Sequence, residues 1–160
     1  MIIIEGMDNS GKSTLALSLA RRLHYTVQES EGPPRDAREI NDRCRRYSQL
    51  QNTLFVRHPV ISNSIYGQFR PEGDPIEDAV REEFYAGQHL IIYCDPLDRS
   101  LTDHVVKDHD TPEHLAMIRE QQINIRILYR NWAIRHAHVL YRIGDDMDRV
   151  CDMVYDASRS

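Results

Sequence analysis

The chain has 160 residues, 25 of them acidic and 20 Lys or Arg, for a net charge of −5; 41% of the residues are hydrophobic and 28% charged. One core of ordinary apolar content fits this length, so a single domain over 1–160 is expected, and a two-domain enzyme, a long repeat array and a disordered chain are excluded. The acidic balance weighs against a protein that coats nucleic acid through bulk electrostatics, although it leaves room for a local basic groove.

In chain order, Met1 to Glu5 is a β-branched run that ends at Gly6, the pattern of a strand buried on both faces. From Lys12 to Leu23, Leu15, Leu19 and Leu23 fall on one stripe with Ala16 and Ala20 beside them, which predicts an amphipathic helix. Tyr25 to Gln28 reads as a second strand. The polar segment Glu29 to Arg35 contains two prolines and reads as a loop. Asp36 then caps a helix over about Ala37 to Ser48. Thr53 to Val56 is a third strand, and Arg57 to Gly67 is read as irregular. Asp74-Pro75 opens a helix that runs to about Tyr85 and ends at Gly87. His89 to Cys94 is the fourth strand, and Asp95-Pro96 opens a short helix or turn. Thr111-Pro112 opens the longest helix, to about Ile134, with Leu115, Ile118, Ile125, Leu128 and Trp132 as its core positions. Val139 to Ile143 is the fifth strand, Gly144 the turn, and Asp146 to Tyr155 the last helix. Strands separated by helices need crossover connections, so the fold class is α/β: an open parallel sheet of about five strands with helices on both faces.

The longest apolar runs, Met1 to Ile4 and Leu90 to Cys94, fall far short of the roughly 20 residues of a membrane-spanning helix. No basic stretch with a following apolar segment marks a secretory signal. Cys44, Cys94 and Cys151 are widely spaced and form no C-x-x-C pair, so neither a disulfide framework nor a zinc site is expected, and the expected compartment is a reducing cytoplasm. Of the eight His, His136 and His138 alternate as at a strand entrance, while His104, His109 and His114 straddle a polar loop; these spacings read as structural or solvated rather than metal-ligating.

The strongest signal is Gly6-Met7-Asp8-Asn9-Ser10-Gly11-Lys12-Ser13, which satisfies G-x-x-x-x-G-K-[ST] between a buried strand and an amphipathic helix. Glycines let the backbone curl so that N–H groups converge on phosphate oxygens, and the helix dipole adds positive potential. Lys12 is expected to reach the β- and γ-phosphates of ATP, Ser13 to ligate Mg²⁺, and Thr14 to follow in the same cradle. A chain this short suits a small kinase better than a motor or switch ATPase.

The segment Ile3 to Thr14 resembles the P-loop of thymidylate kinases, which reads I-E-G-x-D-G-x-G-K-S-T. Glu31-Gly-Pro33 is similar to that family's E-P-G loop, rearranged, and Arg57 to Gln68 resembles its D-R-Y…S…A-Y-Q segment. The resemblance implies a P-loop kinase using ATP and Mg²⁺, with a sheet in the order 2-3-1-4-5. It implies that Arg57 orients the acceptor and that Tyr66 lies near the acceptor's base. Three departures stand out. Val56 replaces the Asp of D-R, so Asp8 or Asp95 would have to supply the carboxylate. The stretch around Lys107 to Thr111 is short for an arginine-bearing lid. The loop after the second strand carries two Glu and no arginine before Arg35.

A weakened grip on an acceptor phosphate resembles a second group, the small bacteriophage kinases that phosphorylate 5-hydroxymethyluracil within DNA during thymidine hypermodification. That resemblance implies an acceptor base flipped into a pocket, with Tyr66 and Phe69 facing it. Free deoxynucleoside monophosphate, dTMP-like, is the alternative acceptor, and a non-catalytic ATP-binding module is the alternative from another class. The oligomeric state is not legible; a homodimer is compatible with the sequence.

Several residues carry two readings. Asp95 is a helix N-cap or, with Ser13, a metal ligand. Tyr66 and Phe69 close a core or stack on an acceptor. Arg38, Arg43, Arg45 and Arg46 form a solvated helix face or a basic rim for DNA or acceptor phosphate. Arg126 and Arg130, one helical turn apart, reach over the γ-phosphate or are ordinary surface charges.

Overall fold

The central strand β1 (Ile2–Glu5) is buried along its whole length, which its β-branched run requires. The computed structural model describes residues 1–101 and 111–160. After β1 come α1 (Lys12–Leu23), β2 (Thr26–Gln28), α2 (Ala37–Tyr47), β3 (Thr53–Val56) and α3 (Pro59–Tyr66), closed by a 3₁₀ turn at Gly67–Phe69. Then follow α4 (Asp78–Ala86), β4 (Leu90–Cys94), a 3₁₀ turn at Asp98–Leu101, α5 (Pro112–His136), β5 (Val139–Tyr141) and α6 (Met147–Ser158). All pairings are parallel and the strand order is β2-β3-β1-β4-β5. The expected α/β class and strand order are therefore observed.

Alternation along the strands feeds two apolar layers. Ile3, Phe55, Ile91 and Tyr93 face the side covered by α2, α3, α4 and α5. Ile2, Ile4, Leu54, Ile92 and Cys94 face α1 and α6, where Leu15, Leu19, Val150 and Val154 meet them. The crossover from β1 leaves to β2 and β3 on one side, whereas β4 and β5 lie on the other. The carboxyl end of β1 is thus the switch point where open α/β sheets bind ligands.

The capping chemistry works as read at three places. Asp36 accepts from the Glu39 N–H at 2.8 Å, Thr111 from His114 at 3.1 Å, and Asp146 from Asp148 and Arg149. On α5, Ile118, Ile125 and Trp132 are buried, as is Tyr129, while Leu115 and Leu128 are half-buried. Cys44, Cys94 and Cys151 are free thiols and buried. Among the described residues no helix is long and apolar enough to cross a membrane.

Three boundaries differ from expectation. The segment Arg57 to Gly67 is not irregular: Pro59–Tyr66 is helical, because His58 caps it, its Nδ1 accepting from Val60 at 3.3 Å, and because Val60, Ile61, Ile65 and Tyr66 are buried. Burial overrides the low helix propensity of that β-branched, Ser- and Asn-containing stretch. The helix expected at Asp74-Pro75 begins at Asp78 instead. Asn41 holds the preceding chain extended, donating to the Pro75 carbonyl at 2.9 Å and accepting from the Glu77 N–H at 2.9 Å. The last strand stops at Tyr141, because the Arg142 and Asp145 backbones close a turn through the Asp145 carboxylate. His104, His109 and the stretch 107–110 lie outside the described residues.

Leu15 is fully buried under the sheet, whereas Ile134 is 84% exposed on α5. Urea unfolding should show Leu15→Ala losing about 3 kcal/mol and Ile134→Ala staying within about 0.5 kcal/mol of wild type.

Candidate phosphate-binding site

The loop Gly6 to Gly11 leaves the switch point and delivers the chain into α1. Gly6 has φ +152°, and a Cβ there would lie 2.4 Å from the Cys94 carbonyl oxygen, so only glycine lets the loop pass the end of β4. Gly11, at φ +84°, packs on Ile143 and Tyr141 and immediately precedes α1. Asn9 takes the left-handed conformation too (φ +58°), at the position where the resembling family carries glycine. Met7 is buried in the core, and Ser10, also buried, donates its hydroxyl to the Met7 carbonyl at 2.7 Å. Ser13 and Thr14 are exposed on the first turn of α1.

Lys12 is buried, its ammonium donating to the Met7 carbonyl and lying 3.4 Å from the Ser10 hydroxyl. Burial, assisted by the Arg57 charge, lowers its pKa to about 7; Asp8, Cys94 and Glu5 pull the other way.

On the β3 side, Arg57 is held in the left-handed region at φ +68°. Its own N–H donates to the Ile4 carbonyl at 2.8 Å, and the next N–H, of His58, donates to Glu5 Oε2 at 3.0 Å. The strained residue and the one after it are thereby tied to β1. The Arg57 guanidinium donates to Asp8 at 2.6 Å and lies over the Tyr66 ring at 5.5 Å, and its Nε is buried without a partner. The structure thus brings Lys12, Asp8, Arg57 and Tyr66 together. Tyr66 itself is buried, and Phe69 packs half-buried against the same core cluster, where with Gln68, Arg70 and Met117 it lines an open groove of about 530 Å³ between the 3₁₀ turn and α5.

Glu5 was missed by sequence reasoning, although one signal was present, a carboxylate inside an apolar strand. It is wholly buried and accepts from the Tyr129 hydroxyl at 2.7 Å, the Ser62 hydroxyl at 3.2 Å, and the Gly6 and His58 N–H groups. It joins the loop, the β3–α3 turn and α5.

On the β4 side, Asp95 departs from its reading as a helix cap. It caps no helix, since the following 3₁₀ turn begins at Asp98. Its carboxylate accepts from the Tyr93 hydroxyl at 2.8 Å, from Arg130 through Nε and a terminal nitrogen at 2.9 Å each, and from Arg142. Burial would raise its pKa, but the donors Arg130, Arg142 and Tyr93 outweigh burial and hold it down at about 2. Both candidate carboxylates for Mg²⁺ are thus paired, Asp95 with two arginines and Asp8 with Arg57 at 2.6 Å. Arg126 pairs with Asp98 at 2.5 Å rather than with Asp95.

The arginines of α2 are also matched by acids. Arg43 binds the Gly32 carbonyl and Glu39, Arg46 binds Glu31, Arg45 binds Asp42 and Glu77, and Arg38 lies 3.8 Å from Asp42. These pairs make α2 an ion-paired face rather than a basic rim.

No protein-family model matches the chain, and no curated protein matches it in sequence. Its fold is nevertheless shared with solved structures, each matched over 99% of this chain. The YorR protein of Bacillus subtilis, in complex with phosphorylated GDP, is matched over 95% of its length with a TM-score of 0.71 and 17% identity. Deoxyadenosine kinase from M. mycoides, with dCMP and dCDP bound, is matched over 97% with a TM-score of 0.59 and 14% identity. Thymidylate kinase from Candida albicans is matched over 90% with a TM-score of 0.60 and 12% identity. The chain therefore has the fold of P-loop nucleoside and nucleotide kinases.

The Lys12 shift carries a sign. With a folded pKa near 7 and an unfolded value near 10.5, the folded state binds fewer protons between these limits, so the stability cost of the buried ammonium is full below pH 7 and fades as pH rises toward 10.5. Thermal unfolding of Lys12→Met should show a stability gain over wild type at pH 6 that shrinks steadily to pH 10.

Proposed function

We propose that the protein is an ATP-dependent P-loop kinase that phosphorylates a thymidine-like acceptor. The observation that supports this reading is the Gly6–Gly11 loop at the switch point, leading into Lys12, with Arg57 paired to Asp8 of that loop. Gly6 to Gly11 cradle the phosphates through backbone N–H groups, and Lys12 regains its proton and charge against the triphosphate. Ser13 and Asp8 are the residues that would hold Mg²⁺, which when bound neutralises charge on the transferring group. Arg57 orients the acceptor through its guanidinium, which lies over the Tyr66 ring. Transfer of this kind asks mainly for positioning and electrostatic stabilisation.

The preferred acceptor is the 5-hydroxymethyl group of hydroxymethyluracil in DNA. The pairing of the α2 arginines with Glu31, Glu39, Asp42 and Glu77 supports a neutral hydroxyl over an anionic phosphate, and the open groove beside Phe69 gives a base room to stack. A free dTMP-like monophosphate is the second reading, favoured by Arg57 and Arg70 on the α3 side, where Arg70 reaches Asn63 at 3.2 Å.

The deciding experiment offers γ-labelled ATP and Mg²⁺ with hydroxymethyluracil-containing DNA, unmodified DNA and a panel of free deoxynucleoside monophosphates. Label on the modified base after nuclease digestion is expected; label in a free diphosphate selects the second reading. Transfer to no acceptor despite ATP binding leaves a non-catalytic ATP-binding module. Lys12→Ala should lower turnover by about three orders of magnitude with the fold retained by circular dichroism; activity within twofold of wild type would remove the mechanism.

A further inference from the structure

We infer that Arg142 is a phosphate-binding residue of the nucleotide site, held by Asp95 in competition with the nucleotide. The inference rests on the kinase reading and adds to it a residue from outside the loop motif, the family-like Arg57 segment and the α5 arginine pair.

The argument begins with position. Asp95 follows Cys94, whose carbonyl meets Gly6, and Arg142 lies between Tyr141 and Ile143, whose side chains meet Gly11. The Asp95 N–H donates to the Tyr141 carbonyl at 2.8 Å, locking these two strand ends together. Asp95 and Arg142 therefore stand at the ends of the two strands that border the phosphate loop at its first and last glycines.

Charge count is the second step. Asp95 is one carboxylate facing two guanidiniums, and its third donor, Tyr93, is neutral, so the cluster carries a surplus positive charge. On the neighbouring turn of α5, Arg126 adds a further guanidinium, paired among the described residues with Asp98, which is 92% exposed and binds weakly in water. The Asp95 carboxylate is 3% exposed, whereas the Arg130 and Arg142 side chains are 43% and 48% exposed, so a solute reaches the arginines and not the acid.

Bonding separates the two arginines. Arg130 grips Asp95 with two parallel bonds, while Arg142 makes one contact to a single oxygen. A bidentate pair is the stronger and the more rigid, so Arg142 is the arginine that a polyphosphate can draw away, and Arg130 keeps Asp95 neutralised when it leaves. The Arg142 backbone is fixed separately, its N–H donating to the Asp145 carboxylate at 2.8 Å, so exchange of the side chain's partner leaves the turn in place.

Calorimetric titration of ATP and ADP into wild type, Arg142→Gln, Arg142→Lys and Arg130→Gln tests this. Arg142→Gln should weaken ATP binding about tenfold, and Arg142→Lys should recover part of the loss. The unfolding midpoint of Arg142→Gln without nucleotide should stay close to wild type, while Arg130→Gln, which leaves Asp95 with a single guanidinium, should lower it. Equal affinity in wild type and Arg142→Gln would overturn the inference, as would a loss that tracks the midpoint and is not recovered by lysine. Failure of wild type to bind ATP would remove the nucleotide site itself, and the Arg142 role with it.

Discussion

The Glu5 carboxylate is the constraint on which the site depends. A carboxylate in a protein interior is costly unless its oxygens are hydrogen-bonded, and this one lies at the end of the central strand with no exposure to water. It is tolerated because its oxygens accept from Gly6, His58, Ser62 and Tyr129. Those donors come from the phosphate loop, the β3–α3 turn, α3 and α5. One side chain therefore fixes the start of the cradle, the residue after Arg57 and the long helix that carries Arg126 and Arg130. Removing it would leave four donors, from four parts of the fold, without their common partner.

The strain at Arg57 follows from the same arrangement. A left-handed arginine costs on the order of 1 kcal/mol or more and persists only where its surroundings over-determine it. Here the bond from its own N–H to Ile4 and the bond from the His58 N–H to Glu5 hold the turn from both sides. His58 contributes twice, since its backbone serves Glu5 while its ring caps α3. Burial and the nearby His89 push the His58 pKa down to about 3, which keeps the ring neutral and its Nδ1 an acceptor. The geometry that aims Arg57 is thus built from groups that do no chemistry.

The parts of this architecture legible in the sequence are the local ones. The loop from Gly6 to Ser13 was readable because a glycine pattern, a buried strand and an amphipathic helix coincide within a few residues. Strand order followed from the family resemblance and is what the sheet adopts. What escaped was set by distant partners. Pro59–Tyr66 carries poor helix formers, and its helicity comes from burial against other elements. Asp74-Pro75 has good capping chemistry, yet Asn41, far away in sequence, holds the chain extended there. Asp95-Pro96 has the same local grammar, but Arg130 and Arg142 converge on the carboxylate from two other elements. Dipeptide signals lose when a long-range partner offers more bonds than a cap does.

The charge pattern around the loop is one of local pairing within an acidic protein. Each cation near the cradle is matched with a carboxylate or a carbonyl: Lys12 with Met7, Arg57 with Asp8, Arg130 and Arg142 with Asp95. Such pairing screens the positive groups from one another at close quarters, where unpaired like charges would repel strongly in a low dielectric. It also means that a phosphate gains each cation by exchange rather than by simple attraction. Binding strength is then set by the difference between two acceptors, and selectivity falls on the shape and charge of the incoming anion. A triphosphate offers several oxygens to several cations at once, whereas a single anion at one arginine must displace an existing carboxylate one bond at a time. On the proposed reading, this exchange favours a polyphosphate in the loop over scattered anions on the surface.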